Sequence, residues 1–324
     1  MATVAVLIPC RDASPWVAEA VESCLRQEVD VEIIAVDDGS TDDTVDILRR
    51  FGPPVTVLSC PGTGAPTARN MAFEASSAPF IQYLDADDVI LPGKLVEQLS
   101  FLEASAIDTV YGDWRYWFDD GRSQPLGPVQ RTGLQHDPVE ALLDDWWMPS
   151  MALLHRREAV AASGGWEPSI PVGDDHDFLL SLVIGGGHLG YQPGCHSLYR
   201  RHTDRSVSRG DQVQWLAGRT ALLQKAERSL IRGGALTTQR RESLARSYHR
   251  LARWWWDHDP DQARRIYTRA REIHADMEPD APVAYRALRA LAGFDRAEQL
   301  LSIRRRALHR LGRSMADPHP TPGR

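Results

Sequence analysis

Three carboxylates within four residues, Asp85, Asp87 and Asp88, follow an apolar run that ends at Leu84. Alternate side chains of an extended segment point to the same side, so Asp85 and Asp87 should face one way. Crowded carboxylates repel one another unless a cation neutralises them, and two hard oxygen ligands suit Mg²⁺ or Mn²⁺. The alternative is an acidic strand-to-helix turn that caps a helix and binds nothing. The spacing alone is compatible with both.

Short apolar runs alternate with segments of helical periodicity ahead of this acidic cluster. The predicted strands are Val4–Ile8, Glu32–Val36, Val55–Leu58 and Phe80–Leu84, and helices begin near Ser14, Ser40, Ala65 and Pro92. This alternation predicts an α/β fold, in which crossover helices join parallel strands. Ligands of such sheets bind beyond the carboxyl ends of the strands. Pro9, Asp38 and Asp85 each follow a predicted strand, so we expect them at one edge of the sheet.

Five motifs occur in an order typical of one enzyme family. They are Val36–Thr44, Leu84–Asp88, Leu153–Glu158 followed by Gly164–Glu167, Gly173–Phe178, and Tyr199–His202 followed by Ser206–Ser208. Together they resemble the family 2 inverting glycosyltransferases of GT-A fold, over about residues 3–210. The resemblance implies a GT-A-like mixed, mainly parallel sheet flanked by helices.

An enzyme of this kind moves a sugar from a nucleoside-diphosphate sugar to an acceptor hydroxyl. A cation that bridges the phosphates acts as a Lewis acid and offsets the charge of the leaving diphosphate. The resemblance implies that Asp87 ligates Mn²⁺ or Mg²⁺ and that Asp85 and Ala86 belong to the nucleotide site. Asp85 would hold the ribose or a metal-bound water. His202 would complete the metal shell or contact the diphosphate; the alternative is a surface histidine in an arginine-rich loop.

The nucleotide base would be read by Asp38, which matches the acidic base-reading residue of the family. A carboxylate only accepts hydrogen bonds, so it needs an N–H beside a carbonyl, as in uracil, thymine or guanine. This favours a UDP-type donor, whereas the alternative is that Asp38 merely ends a strand. Arg69 lies where the family often has a basic residue near the nucleotide, and Pro9 and Arg11 line the first strand end. The chain departs from the family at Cys10–Asp12, where an aromatic residue and Asn are usual; Arg11 could stack on the base instead.

The proton of the acceptor hydroxyl would go to Asp175, which matches the general base of the family. Its neighbours Asp174 and Asp177 could raise its pKa by like-charge repulsion. The alternative is an acidic first helical turn stabilised by the helix dipole. Trp166 is expected to stack on an acceptor sugar. Four further tryptophans could do so but are more typical of packing: Trp114, Trp117, Trp146 and Trp147.

Charge is distributed unevenly along the 324 residues. Residues 1–210 contain 15 basic and 31 acidic side chains, whereas residues 211–324 contain 22 basic and 13 acidic ones. An acidic front half argues against a nucleic-acid groove there, so no nucleic-acid partner is expected. No apolar run is long enough to span a bilayer, and the N-terminus lacks the pattern of a signal peptide. The four cysteines have no metal-ligand spacing and suit reduced thiols, which favours the cytoplasm.

Beyond residue 210 the apolar spacing becomes helical. It predicts helices at about residues 215–230, 237–256, 261–275 and 283–311, the last broken near Gly293. We therefore expect a glycosyltransferase domain at 1–210 and an all-α C-terminal extension at 211–324. Arginines beside leucines on the last helix could lie on an anionic membrane surface, at the inner face of the membrane. A solvated basic face is the alternative.

The sequence thus predicts a metal-dependent inverting glycosyltransferase. One alternative is a non-catalytic module that binds nucleotide sugars, against which the presence of both Asp87 and Asp175 argues. A sugar-phosphate nucleotidyltransferase is a further alternative with similar architecture. It would need a glycine-rich basic loop after the first strand, and Pro9–Ala13 is not such a loop.

Overall fold

The structure, a computed structural model, describes residues 2–119, 125–170, 172–201 and 212–310, with side chains described as far as residue 305. The chain divides into two compact units. The first comprises Met1–Pro138 and Trp147–Ser206, and the second comprises Val139–Trp146 and Val207–Arg324. The short segment 139–146 therefore groups with the C-terminal helices, although it lies in the middle of the predicted front domain.

The first unit is built from strands and helices in the predicted alternation. Its strands are β1 (Val4–Cys10), β2 (Val31–Asp37), β3 (Val55–Ser59), β4 (Phe80–Tyr83), β5 (Val89–Ile90), β6 (Thr109–Phe118), β7 (Leu126–Gln130), β8 (Leu153–Arg156) and β9 (Leu189–Arg201). Its helices are α1 (Val17–Leu25), α2 (Thr44–Arg49), α3 (Ala65–Ala75), α4 (Lys94–Glu103), α6 (Arg157–Ser163) and α7 (Asp174–Ile184). Helix α5 (Pro138–Leu143) lies, except for Pro138, in the segment 139–146 that groups with the second unit.

These strands form one mixed sheet in the order β3-β2-β1-β4-β8-β6-β9-β5, with β7 paired to β6. β1 is parallel to β2 and β4, and β2 is parallel to β3. β8 runs antiparallel to both β4 and β6, so β6 points the same way as β4. β9 is parallel to β6. The predicted mixed, mainly parallel sheet is therefore confirmed. The carboxyl ends of the parallel strands β1, β2, β4, β6 and β9 lie along one edge of the sheet.

β1 is buried on both faces, which explains its unbroken apolar run. Val4, Val6 and Ile8 pack in a core cluster that includes residues of α1. The intervening Ala5 and Leu7 pack on the other face in a cluster that includes residues of α3. Helices therefore cover both faces and leave the strand ends as the place where polar side chains can gather.

The second unit is helical in its described part. Its helices are α8 (Gln212–Arg232), α9 (Thr238–Trp255), α10 (Pro260–Ile273) and α11 (Val283–Arg310). Gly293, at φ 80° and ψ 169°, interrupts α11, so the predicted break is confirmed. Thr237 caps α9 by accepting a hydrogen bond from the Arg240 N–H, and Asp259 caps α10. No helix in the described part of the chain is both long and apolar enough to cross a membrane.

Segment 139–146 is held in the second unit by ion pairs. Asp144 accepts hydrogen bonds from Arg246 at 2.7 Å and from the Ser243 hydroxyl at 2.8 Å. Asp145 pairs with the Arg250 Nε at 2.8 Å and with Arg219. The hydrogen bonds from Arg246 and Ser243 hold the pKa of Asp144 below its ordinary value against the opposing effect of burial. Periodicity along the chain contains no signal for such a pairing.

Candidate functional site

The acidic turn after β4 separates its three carboxylates by depth. The Asp88 N–H donates to the Asp85 carbonyl at 3.0 Å, which closes the turn. Asp88 is buried, whereas Asp85 and Asp87 are partly exposed, and Ala86 between them is buried. Burial and the charge of Asp87 raise the pKa of both Asp85 and Asp88, although Arg69 partly offsets the effect at Asp85. The turn thus concentrates negative charge at the sheet edge.

Hard carboxylate oxygens under mutual repulsion are the donor set that Mg²⁺ or Mn²⁺ prefers. Among the residues that the structure describes, no three His, Cys, Asp or Glu side chains converge as metal ligands. This arrangement suits a cation held jointly by one or two carboxylates and a diphosphate rather than by a protein cage. His202, the other predicted ligand, lies outside the described residues.

Arg69 of α3 joins the acidic turn to the start of α7. Its Nη2 donates to Asp85 Oδ1 at 2.6 Å, and its Nη1 pairs with Asp174. The guanidinium also lies 4.1 Å from the centre of the Trp166 ring. Arg69 is buried, whereas the side chains of Asp85 and Asp174 remain partly exposed. The predicted nucleotide-site arginine therefore bridges two acidic groups that are far apart in sequence.

Asp175 follows Asp174 in the first turn of α7. Its Oδ1 is buried and has no hydrogen-bond partner among the described residues. Burial and the adjacent Asp174 raise the pKa of Asp175 well above its ordinary value, and Arg69 acts in the opposite direction. A buried, unsatisfied carboxylate with a raised pKa is the type of group that serves as a general base.

Asp38 is 2% exposed and contacts the loop after β3. Its Oδ1 accepts from the Thr63 N–H at 2.7 Å, and its Oδ2 accepts from the Gly64 N–H at 2.8 Å. Arg11 lies 3.8 Å from the same carboxylate and is itself largely exposed. The Cys60 thiol also donates to Oδ1 at 3.0 Å, so the carboxylate fixes the loop after β3, and its Oδ2 is the oxygen nearest to Arg11. Both predicted nucleotide residues lie together at the strand edge, next to Pro9.

The segment Cys10–Asp12, where the sequence departs from the family, forms a loop that is hydrogen-bonded to the loop after β2. Asp12 takes a left-handed conformation, with φ 46°, and its Oδ1 accepts from the Thr41 N–H at 2.7 Å. The Asp12 N–H donates to the Ser40 hydroxyl at 3.0 Å. These bonds tie the loop after β1 to the loop after β2. Arg11 directly precedes Asp12 in this loop, and its side chain is largely exposed.

Trp166 is a core residue of this structure, with 1% of its surface exposed. Its ring stacks on Phe178 at 4.4 Å between centres, and Arg69 covers it as well. Asn70 fixes its backbone, donating to the Trp166 carbonyl at 2.7 Å and accepting from its N–H at 2.9 Å. A ring enclosed in this way has no free face for a sugar, so the burial of Trp166 disfavours its predicted acceptor role. Trp147 packs edge-to-face on Trp114 and is only partly buried.

Sequence reasoning did not single out Asn70 or Arg200, and it treated Asp174 only as a neighbour of Asp175. Arg200 lies in the predicted closing motif, yet His202 received the role. The Arg200 N–H donates to Asp88 Oδ1 at 2.8 Å, and its Nε donates to the Asp87 carbonyl at 2.7 Å. The usable signal was its position directly after Tyr199 in the predicted closing motif.

Comparisons with known proteins agree with this architecture. Residues 5–157 match the model described as Glycosyl transferase family 2. The succinoglycan biosynthesis protein ExoU of Rhizobium meliloti (strain 1021) is 25% identical over 268 residues, which are 75% of this chain and 73% of that protein.

Solved structures share the fold. S. aureus TarS 1–349 in complex with UDP-GlcNAc has a TM-score of 0.65 at 13% identity, covering 98% of this chain and 95% of that one. Mannosyltransferase PcManGT from Pyrobaculum calidifontis in complex with GDP-Man and Mn²⁺ has a TM-score of 0.54 at 18% identity, covering 95% and 81%. Identities this low establish the fold alone. The match over residues 5–157 and the shared fold together support a family 2 glycosyltransferase domain with a GT-A-like fold in this chain.

Proposed function

We propose that the protein is a metal-dependent, inverting glycosyltransferase. It transfers a sugar from a nucleoside-diphosphate sugar, with a UDP-type donor favoured, to an acceptor hydroxyl. The observation that carries the proposal is the bridge made by Arg69 between Asp85 and Asp174. This bridge supports a single site in which the acidic turn meets the carboxylate pair that opens α7.

In the proposed mechanism, α7 provides the group that accepts the proton, and the acidic turn after β4 provides the groups that face the diphosphate. Asp175 takes the proton from the acceptor hydroxyl as it attacks the anomeric carbon, and the sugar–phosphate bond breaks on the opposite face. Mn²⁺ or Mg²⁺, when bound, supplies positive charge against the leaving diphosphate. Asp87 and His202 would hold that cation. Asp85 and Ala86 orient the nucleotide beside it.

The base end of the nucleotide would lie against Pro9, Arg11 and Asp38. TarS was solved with UDP-GlcNAc and PcManGT with GDP-Man, and both uracil and guanine carry an N–H beside a carbonyl. A carboxylate at the position of Asp38 can accept from either base. Arg11 provides a planar cation that can stack on the base where the family usually has an aromatic ring. Arg69, which pairs with Asp85 and Asp174, would lie near the nucleotide.

Incubation with donor sugars and a mixed acceptor panel tests the activity. A transferase releases nucleoside diphosphate above the hydrolysis background only when an acceptor is present, and NMR of the product reports inversion at the anomeric carbon. A module that only binds nucleotide sugars gives no release. A nucleotidyltransferase instead consumes a nucleoside triphosphate and a sugar phosphate and releases pyrophosphate, which would contradict the proposal.

We also propose a cytoplasmic site of action with peripheral contact between α11 and acidic lipid. Leu300 and Ile303 are each 53% exposed, and Arg304 is exposed beside them. Apolar side chains flanked by arginine are typical of helices that lie in the membrane interface. The relative named for succinoglycan biosynthesis is consistent with a role in polysaccharide synthesis, where acceptors can be lipid-linked.

Co-sedimentation with liposomes tests this contact. Binding should require acidic lipid, fall with salt, and weaken on replacement of Leu300 and Ile303 by Asn. The matched control is Gln299→Asn, since Gln299 is an exposed neighbour on the same helix. Sedimentation that ignores lipid charge, or that both variants change equally, favours the solvated basic face.

A further inference from the structure

Arg200, near the end of β9, is 5% exposed and contacts the acidic turn after β4. Its backbone N–H donates to Asp88 Oδ1 at 2.8 Å, and its Nε donates to the Asp87 carbonyl at 2.7 Å. The main chain and the side chain of Arg200 therefore donate hydrogen bonds to two consecutive residues of the turn. The side chain of Arg200 contacts Asp87 through the backbone carbonyl and not through the carboxylate.

The rest of the guanidinium is anchored away from the turn. Nη2 donates to Glu19 at 2.5 Å, and Nη1 lies 3.3 Å from Asp119. The guanidinium carbon Cζ lies over the Trp117 ring, 3.8 Å from its centre. A planar fork with a separate Nε–H is required to meet two carboxylates, a carbonyl and an aromatic face together, and a lysine cannot do so.

We propose that Arg200 is a positioning residue that fixes the direction of the Asp87 carboxylate towards the donor diphosphate. The inference rests on the proposed function, because it assumes that Asp87 holds the cation. Groups that orient a metal ligand through hydrogen bonds commonly change metal affinity when they are altered. Arg200 orients Asp87 by donating to the Asp87 carbonyl, and it holds the next residue by donating to the Asp88 carboxylate. These two bonds restrict rotation of the backbone at Asp87.

The test is the Mn²⁺ dependence of nucleoside-diphosphate binding, measured by calorimetry with and without EDTA. Arg200→Lys keeps a positive charge but loses the Nε bond and the stacking on Trp117. We expect Mn²⁺-assisted affinity to fall by about 10- to 100-fold. Binding in EDTA should change by less than about twofold, since the base and ribose contacts are elsewhere.

Arg157→Lys is the matched control. The Arg157 Nε donates to the Ala78 carbonyl at 2.7 Å and its guanidinium covers Phe73 at 4.4 Å, so it has the same type of environment without the acidic turn. Its substitution should leave the Mn²⁺ effect unchanged. An equal loss in both variants means that a general loosening of the fold is responsible and overturns the inference.

Glu19→Gln keeps the test decisive if Arg200→Lys fails to fold. Glu19 is half exposed and its change removes only one anchor of Arg200, so the Mn²⁺ effect should weaken by a smaller factor in a folded protein. Unchanged Mn²⁺-assisted binding in the folded variants overturns the role of Arg200 and leaves the proposed function intact. If the unaltered protein shows no Mn²⁺-assisted binding at all, the metal role of Asp87 fails, and the positioning role fails with it.

Discussion

Replacement of Asp175 by Asn should lower the turnover of the enzyme by about 10²- to 10⁴-fold, the usual contribution of a general base. Asparagine keeps the size of the side chain and one carbonyl oxygen, but it cannot take a proton from the acceptor. Asp175 lies at the opening of α7, whereas the acidic turn follows β4, so affinity for nucleoside diphosphate with Mn²⁺ should barely change. Loss of rate with binding intact is the expected result.

The same substitution should stabilise the metal-free protein. Oδ1 of Asp175 is buried and without a hydrogen-bond partner among the described residues, and Asp174 lies beside it. Asparagine keeps a polar atom at this buried position but removes the charge that burial and Asp174 disfavour, so we expect a gain below about 1–3 kcal/mol, the usual cost of a buried unsatisfied polar group. In domains of 150–250 residues this corresponds to roughly 2–4 °C in Tm for each kcal/mol.

The pH dependence of the activity and of the stability follows from the raised pKa of Asp175, which burial and Asp174 cause. Since a general base must be unprotonated, kcat/KM of the unaltered enzyme should rise as pH increases through this pKa, and the variant should lack that limb. The folded protein binds the Asp175 proton more tightly than the unfolded chain does. Stability is therefore lost as pH rises towards the folded pKa, so the advantage of the Asn variant should be largest above it and vanish near the ordinary carboxyl pKa.

Three measurements decide the outcome: nucleoside-diphosphate release, thermal unfolding in EDTA, and a pH series of each. Asp46→Asn is the control, because Asp46 is an exposed acidic residue in the first turn of α2. It should lose a little helix-dipole stabilisation and no activity. Full activity of the Asp175 variant would refute the base assignment. A loss of stability like that of the control would show that Asp175 only stabilises the first turn of α7 through the helix dipole.

The remaining predictions concern the metal, the base and the packing beneath the site. Asp87→Ala should abolish the Mn²⁺ enhancement of nucleoside-diphosphate binding in calorimetry; an unchanged enhancement would contradict its role as ligand. Asp38→Ala should weaken uridine more than cytidine nucleotides in a competition assay, whereas equal binding of all bases would reduce Asp38 to a clamp of the β3 loop. Gly165→Ala should lower Tm more than Gly164→Ala does. Both glycines have positive φ, but only at Gly165 would a Cβ meet Asn70, at 2.7 Å; equal Tm losses would contradict this packing.

Local patterns in the sequence predicted much of the fold. The apolar runs that became β1 and β2 are buried on both faces, so their composition alone marks them as inner strands. The break of α11 at Gly293 is equally local, because glycine at positive φ ends a helix wherever it packs. The acidic turn after β4 was readable for the same reason, since its three carboxylates are adjacent in the chain.

Contacts between distant residues could not be read in this way. Arg69 meets Asp174 across 105 positions, and Asp38 accepts from Gly64 across 26, so nothing in the local sequence distinguishes them from surface charges. Trp166 illustrates the same limit, because a tryptophan beside two glycines can face a ligand or the core. Its burial depends on Phe178 of α7 and Arg69 of α3, which are distant from it in the chain.

The chain by itself therefore determined which segments are strands and helices, where the acidic groups follow them, and which family the motifs resemble. Only the tertiary structure decided that Arg69 and Arg200 hold the acidic groups and that segment 139–146 groups with the helical unit. It also showed that one oxygen of Asp175 finds no hydrogen-bond partner in the described part of the chain. The physical reason is that periodicity reports which face of an element is buried. It carries no information about which other element supplies the partner, and ion pairs and hydrogen bonds act only over a few ångströms.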